Sequence, residues 1–188
     1  PVRNGHRTDG VRCHWSICLQ TFESLVLPQP ILKALKDIGY DTPTPIQAQA
    51  IPPALEGHDV LGSAQTGTGK SAAFAIPTLS RLLAHKPDKR GRGPVRPRAL
   101  ILSPTRELAA QIQASFANYG RHTGLRQTSI FGGVSQFHQV KALKRGVEII
   151  VGGVLAGLAM VCSTIISVVC ILKRRTKPER DKTVAIDM

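Results

Sequence analysis

The chain has 188 residues, 42% of them apolar, which suffices for a packed core, excludes global disorder and allows one domain with part of another. Twenty-five Lys and Arg against twelve Asp and Glu give a net charge of +13, so the expected partner is a polyanion: nucleic acid, nucleotide phosphate or anionic lipid. Four cysteines are too few for a disulfide scaffold of this size.

Residues 1–20 are basic and carry no sustained period, as in a flexible leader. Cys13, His14 and Cys18 fit no zinc-ligand spacing and read as incidental. A helix is predicted from Pro30, with Ile31, Leu32, Leu35 and Ile38 on its apolar face and Gly39 as its stop. A turn-rich link, 41–45, follows. Strand and helix signals then alternate: strand 59–64, helix 70–83, strand 98–103, helix 106–119, strand 127–131, helix 135–144 and strand 147–151. Such alternation predicts an α/β fold, a parallel sheet with helices on both faces. Residues 86–98 hold six basic residues and one acid among Gly and Pro, the pattern of an exposed, solvated loop.

The run from Ile149 to Leu172 has no charged residue over 24 positions. As a helix it would cross a ~30 Å hydrocarbon core, so a transmembrane helix is predicted over 152–172, with the apolar run beginning at 149. A basic tail, 173–188, follows.

Ala64-Gln65-Thr66-Gly67-Thr68-Gly69-Lys70-Ser71 sits between a predicted strand and a predicted helix, the setting of a phosphate-binding loop. Gly67 and Gly69 let backbone N–H groups face phosphate, Lys70 brings a charge to the outer phosphates, and the Ser71 hydroxyl suits Mg²⁺. The loop opens on Ala64, where the usual pattern has Gly. Upstream, prolines stiffen the backbone around Gln47, whose amide both donates and accepts, the geometry that pairs with adenine N6 and N7. Its place before the loop favours ATP over GTP.

With Phe22, the segments GYDTPTPIQ (39–47), AQTGTGKS (64–71) and PTRELAAQ (104–111), and the pair Gly132-Gly133, the chain resembles the DEAD-box ATP-dependent RNA helicases, most of all the bacterial branch. The resemblance covers about residues 21–151. It implies an incomplete RecA-like sheet of the P-loop NTPase type, ATP and Mg²⁺ as cofactors, RNA as partner and a cytoplasmic location. It further implies adenine contacts from Phe22 and Gln47, phosphate and Mg²⁺ contacts from Lys70 and Ser71, and RNA-backbone contacts from Pro104, Thr105, Arg106, Gly132 and Gly133. At a helix start, the Arg106 charge and free N–H groups can face the same phosphate.

The departures bear on activity. No Asp-Glu pair follows the phosphate loop, and the Ser-Ala-Thr motif and second lobe of such helicases do not follow Val151. The resemblance therefore implies binding without hydrolysis or unwinding, and a sheet opened in its middle, with impaired folding. Residues 152–188 show no such resemblance. Gly153 and Gly157 there are spaced like a small-residue contact between membrane helices. The basic tail would place the C-terminus in the cytoplasm and the nucleotide-binding part outside. That conflict points to two unrelated coding segments joined near Val151, or to a single-pass membrane protein whose working part is the tail.

Overall fold

A computed structural model describes residues 21–85, 95–153 and 183–187. Helix α1 (Gln29–Asp37) starts with Pro30 in its first turn and buries Ile31, Ala34 and Leu35, as the apolar spacing predicts. It ends where Gly39 takes φ +72°, and the Gly39 N–H returns to the Lys36 carbonyl at 3.0 Å. Asp37 then accepts from His122 Nε2 at 2.6 Å, tying α1 to the turn at 120–123. That hydrogen bond lowers the Asp37 pKa, so its contribution to stability is present above the ordinary carboxylate range and fades as pH falls through it.

Helix α2 (Pro45–Glu56) is not anticipated by the sequence reading, which places a turn-rich link up to Pro45 and no element between it and the strand at 59–64. Pro45 occupies the first turn, where a missing N–H costs nothing, and Gly57 closes the helix at φ +91°. Its Ile46, Ala50 and Ile51 are buried, and it packs against α3 (Lys70–Ala84). Arg98 caps the far end of α3 by donating to the Leu82 and His85 carbonyls.

The strands are β1 (Asp59–Ser63), β2 (Ala99–Ser103), β3 (Gln127–Ile130), β4 (Ile149–Gly153) and β5 (Thr183–Asp187). All their pairings are parallel, as expected for an α/β chain whose strands alternate with helices, here α4 (Arg106–Tyr119) and α5 (Gln136–Arg145). The described strands nevertheless form two sheets, β2–β4–β3 and β1–β5. The main core lies between the three-stranded sheet and helices α1, α3 and α4, with Phe116, Ile76, Leu79, Ile149 and Val151 at its centre.

Two expectations about the C-terminal part are corrected. The strand predicted at 147–151 is present as Ile149–Gly153, the central strand of its sheet, buried at every position, with Ile150 facing both Leu100 and Thr128 across the ladder; it runs two residues further, so Gly152 and Gly153, the first positions of the expected transmembrane helix, are strand. A strand covered on both faces reads as a continuous apolar run, and so does the start of a membrane helix, so the sequence does not mark where this strand ends. The tail is not separate from the fold either. Its residues 183–187 pair with β1, from Asp59↔Thr183 to Ser63↔Asp187. Among the described residues no helix is long and apolar enough to cross a membrane. The remaining 154–172 of the expected span, residues 173–182 of the tail, the leader with Cys13, His14 and Cys18, the stretch 86–94 and Gly157 lie outside the described residues.

The entry to β4 is held by Glu148, 8% exposed, whose Oε2 accepts from the Arg126 N–H at 2.8 Å while its own N–H donates to the Arg126 carbonyl at 2.8 Å. Its carbonyl in turn accepts from the N–H groups of Arg98 and Ala99. Glu148→Ala is expected to destabilise the chain by about 1–3 kcal/mol, because it orphans a partly buried N–H, whereas Glu148→Gln keeps an acceptor and recovers most of the loss. Paired urea titrations measure the difference.

Candidate functional site

The phosphate loop runs from Ala64 to Gly69 between β1 and α3, as its sequence context requires. Gly67 and Gly69 have φ of +87° and +89°, a region that glycine enters without penalty. Space separates their roles. A Cβ on Gly67 would meet nothing within 4 Å, whereas one on Gly69 would lie 2.3 Å from Gln47 Nε2.

That close approach shows what shapes the loop. The N-terminus of α2 reaches it through two side chains: Thr44 Oγ1 donates to the Thr68 carbonyl at 2.8 Å, and Gln47 Nε2 donates to the Gly69 carbonyl at 3.1 Å. Gln47 Oε1 accepts from the Thr44 N–H at 3.0 Å, the returning half of a capping box, which fixes the amide's orientation. Within the loop, Thr68 Oγ1 donates to the Gln65 carbonyl at 2.8 Å. Lys70 Nζ donates to the carbonyls of Ala64 and Gln65, so the ammonium sits inside the loop it would share with phosphate. Ser71 follows at the second position of α3, half-buried.

Two expected adenine contacts meet a different environment. Gln47 is 2% exposed, and each end of its amide already holds a backbone group, leaving one N–H and one lone pair for a ligand. Phe22 is also 2% exposed, packed with Leu25, Leu27 and Ile31 in the main core, so its ring presents no open face to a base. Thr44 is the loop contact that sequence reasoning missed; the Thr-x-x-Gln spacing of a capping box was the available signal.

The second group of nominated residues gathers at the C-terminal ends of β2 and β4. Pro104 and Thr105 lead into α4, with Thr105 as its N-cap accepting from the Leu108 N–H at 3.2 Å. Arg106 is exposed, its guanidinium 5.3 Å from the Phe131 ring centre. A Cβ on Gly133 would lie 3.2 Å from Arg106 Nη1, so the loop holding Gly132 and Gly133 passes directly against that guanidinium. Gly153 lies where the two segments meet. Its own Cβ would lie 3.4 Å from both the Thr105 carbonyl and Phe131 Cβ, and 3.5 Å from Arg106 Cα, ordinary van der Waals distances. The residue read as half of a membrane-helix contact lies between the two backbone segments.

Among the described residues, no group of three or more His, Cys, Asp or Glu could hold a metal ion. The loop itself, with its free N–H groups, left-handed glycines and internal lysine, fits a nucleotide phosphate chain. Ser71 is the one nominated side chain that could hold Mg²⁺, with phosphate oxygens and water completing the shell.

A parallel α/β unit with such a loop between strand and helix is a nucleotide-phosphate-binding domain. The model of the DEAD/DEAH box helicase family matches residues 44–170, and the chain belongs to that family. The match runs past Val151 through most of the apolar run that the sequence reading set apart. The chain is 43% identical over 148 residues to the pre-mRNA-processing ATP-dependent RNA helicase PRP5 of Meyerozyma guilliermondii, covering 77% of this chain and 17% of that protein. It is 46% identical over 132 residues to the ATP-dependent rRNA helicase RRP3 of Saccharomyces cerevisiae, covering 70% and 25%. Against the ATP-dependent RNA helicase DeaD of Escherichia coli it is 44% identical over 133 residues, covering 70% and 20%. Yeast and bacterial relatives thus match equally well, and the chain spans about a quarter or less of their length.

Proposed function

We propose that these 188 residues bind ATP and the RNA backbone as the first part of a DEAD-box helicase lobe, and that they neither hydrolyse ATP nor unwind RNA by themselves. The observation that carries the reading is the phosphate loop latched to α2 through Thr44 and Gln47, since Gln47, expected to contact adenine, also holds the Gly69 carbonyl while Thr44 holds that of Thr68. Nucleotide entry requires Lys70 Nζ to exchange the Ala64 and Gln65 carbonyls for phosphate oxygens. Loop N–H groups would then hold the phosphate chain, Ser71 would hold Mg²⁺ through its hydroxyl, and Gln47 would keep one N–H and one lone pair for the base. Bound Mg²⁺ would supply charge neutralisation at the phosphates. Hydrolysis needs in addition a carboxylate for the metal and a group that orients water, and no Asp-Glu pair follows the loop in this sequence. RNA would lie across Pro104, Thr105, Arg106, Gly132 and Gly133, with Arg106 already aimed past Gly133.

Titration with a fluorescent ATP analogue and Mg²⁺ tests the reading. Binding by the purified chain that weakens at least tenfold in Lys70→Ala supports it, that loss being about 1.4 kcal/mol for one charge-assisted phosphate contact. Equal binding by both proteins overturns the phosphate role of Lys70, and RNA-stimulated phosphate release overturns the inactive part.

A further inference from the structure

Helix α5 differs from the other helices in burying none of its ten residues, yet it carries large apolar side chains. Phe137 is 67% exposed, and Val140 is 44% exposed. Helical spacing puts Phe137, Val140, Lys141 and Lys144 on one face. Lys141 Nζ lies 5.8 Å from the Phe137 ring centre, and the His138 ring meets it edge-on at 5.6 Å. The helix has no acidic residue, while Lys141, Lys144 and Arg145 crowd its second half. An exposed aromatic ring with a lysine ammonium beside it and further cations along the helix suits a partner that is both flat and anionic. A nucleotide offers both in one unit, a base to stack and a phosphate to neutralise.

Position argues for the same occupant. Phe137 follows Gly133 by one turn of chain, and Gln139 Nε2 donates to the Phe131 carbonyl at 3.0 Å, clamping α5 to the loop that carries Gly132 and Gly133. Helical spacing sets Gln139 about 200° from Phe137, so the clamp holds one side of α5 against that loop and leaves the Phe137 side turned outward beside it.

We propose that Phe137 is a stacking platform for one base of single-stranded RNA, with Lys141 and Lys144 holding the adjoining phosphates. The proposal rests on the RNA-binding reading above and extends it from backbone contacts to a base contact. Every base has a π face, so the platform adds affinity without sequence preference.

The test uses the full 188-residue chain and fluorescein-labelled single-stranded RNA of about ten nucleotides, read by anisotropy against an abasic strand of equal length. The wild type is expected to prefer the base-bearing strand, and Phe137→Ala to weaken that strand about tenfold while leaving abasic binding and its salt dependence unchanged. Because Phe137 is exposed, its truncation opens no cavity in the core. Phe137→Trp should retain the preference, with the new indole quenched by RNA. An equal effect of Phe137→Ala on both strands, or none on either, overturns the platform. Failure of the wild type to bind either strand at low salt overturns the RNA reading beneath it.

Discussion

Gly69→Ala is expected to abolish tight ATP binding and to lower stability by about 2–3 kcal/mol, whereas Gly67→Ala costs about 1 kcal/mol and leaves much of the affinity. Both glycines hold nearly the same φ, +89° and +87°, so the torsional penalty of a side chain is shared. Only at position 69 does the new Cβ fall 2.3 Å from Gln47 Nε2 and 3.3 Å from Thr44 Oγ1. The Gln47 amide must swing away, its bond to the Gly69 carbonyl breaks, and the capping bond from the Thr44 N–H goes with it. Two lost hydrogen bonds of about 1 kcal/mol each account for the gap between the variants. Thermal melts and ATP-analogue titrations on both proteins check this. Equal losses would show that the α2 latch does not shape the loop.

Gly146→Ala is expected to cost more than about 3 kcal/mol, a large share of the ~5–15 kcal/mol that holds an ordinary domain together, and to leave little folded protein at ambient temperature. Gly146 has φ +83° with ψ +131°, outside the left-handed basin that Asn or Asp tolerate and in a region nearly confined to glycine. Its Cβ would lie 2.5 Å from the Val95 nitrogen and 2.9 Å from the Val95 oxygen. Backbone cannot rotate aside as a side chain does, and Val95 leads directly into β2 through Arg98, whose N–H is held by the Glu148 carbonyl at 2.8 Å. Gly124→Ala is the control: φ is +70°, and no atom lies within 4 Å of the added methyl. Urea titrations should show for it only the torsional cost of about 1 kcal/mol. A Gly146→Ala midpoint equal to that of Gly124→Ala would mean the 95–98 segment yields to the side chain.

Most of the helices and strands were legible because they satisfy simple local rules. The spacing of Ile31 and Leu35 and the lysine-serine pair after the loop glycines each state a boundary within a few residues. Helix α2 was not, because Pro52 and Pro53 stand within it and its apolar face is weakly periodic; it is a helix through its contact with α3. The same helix then decides the site, since Gln47 is buried and bound to the loop instead of free.

The strand at 147–151 was legible, but from Gly152 onward local rules stop distinguishing the alternatives. An uncharged run fits a membrane span or a strand covered on both faces, and only the pairing of β4 between β2 and β3 separates them. Likewise, nothing in Thr183–Asp187 alone announces that it lies beside β1, more than a hundred residues earlier. Composition and motif spacing were enough to identify a basic, phosphate-binding chain of helicase type, because those signals reside in residues adjacent in sequence. Which side chains are free to meet a ligand was settled by packing: Phe22 went to the core, Gly153 came to lie beside Arg106, and Phe137 was left at the surface. Burial depends on contacts between segments distant in the chain, and no local pattern encodes them.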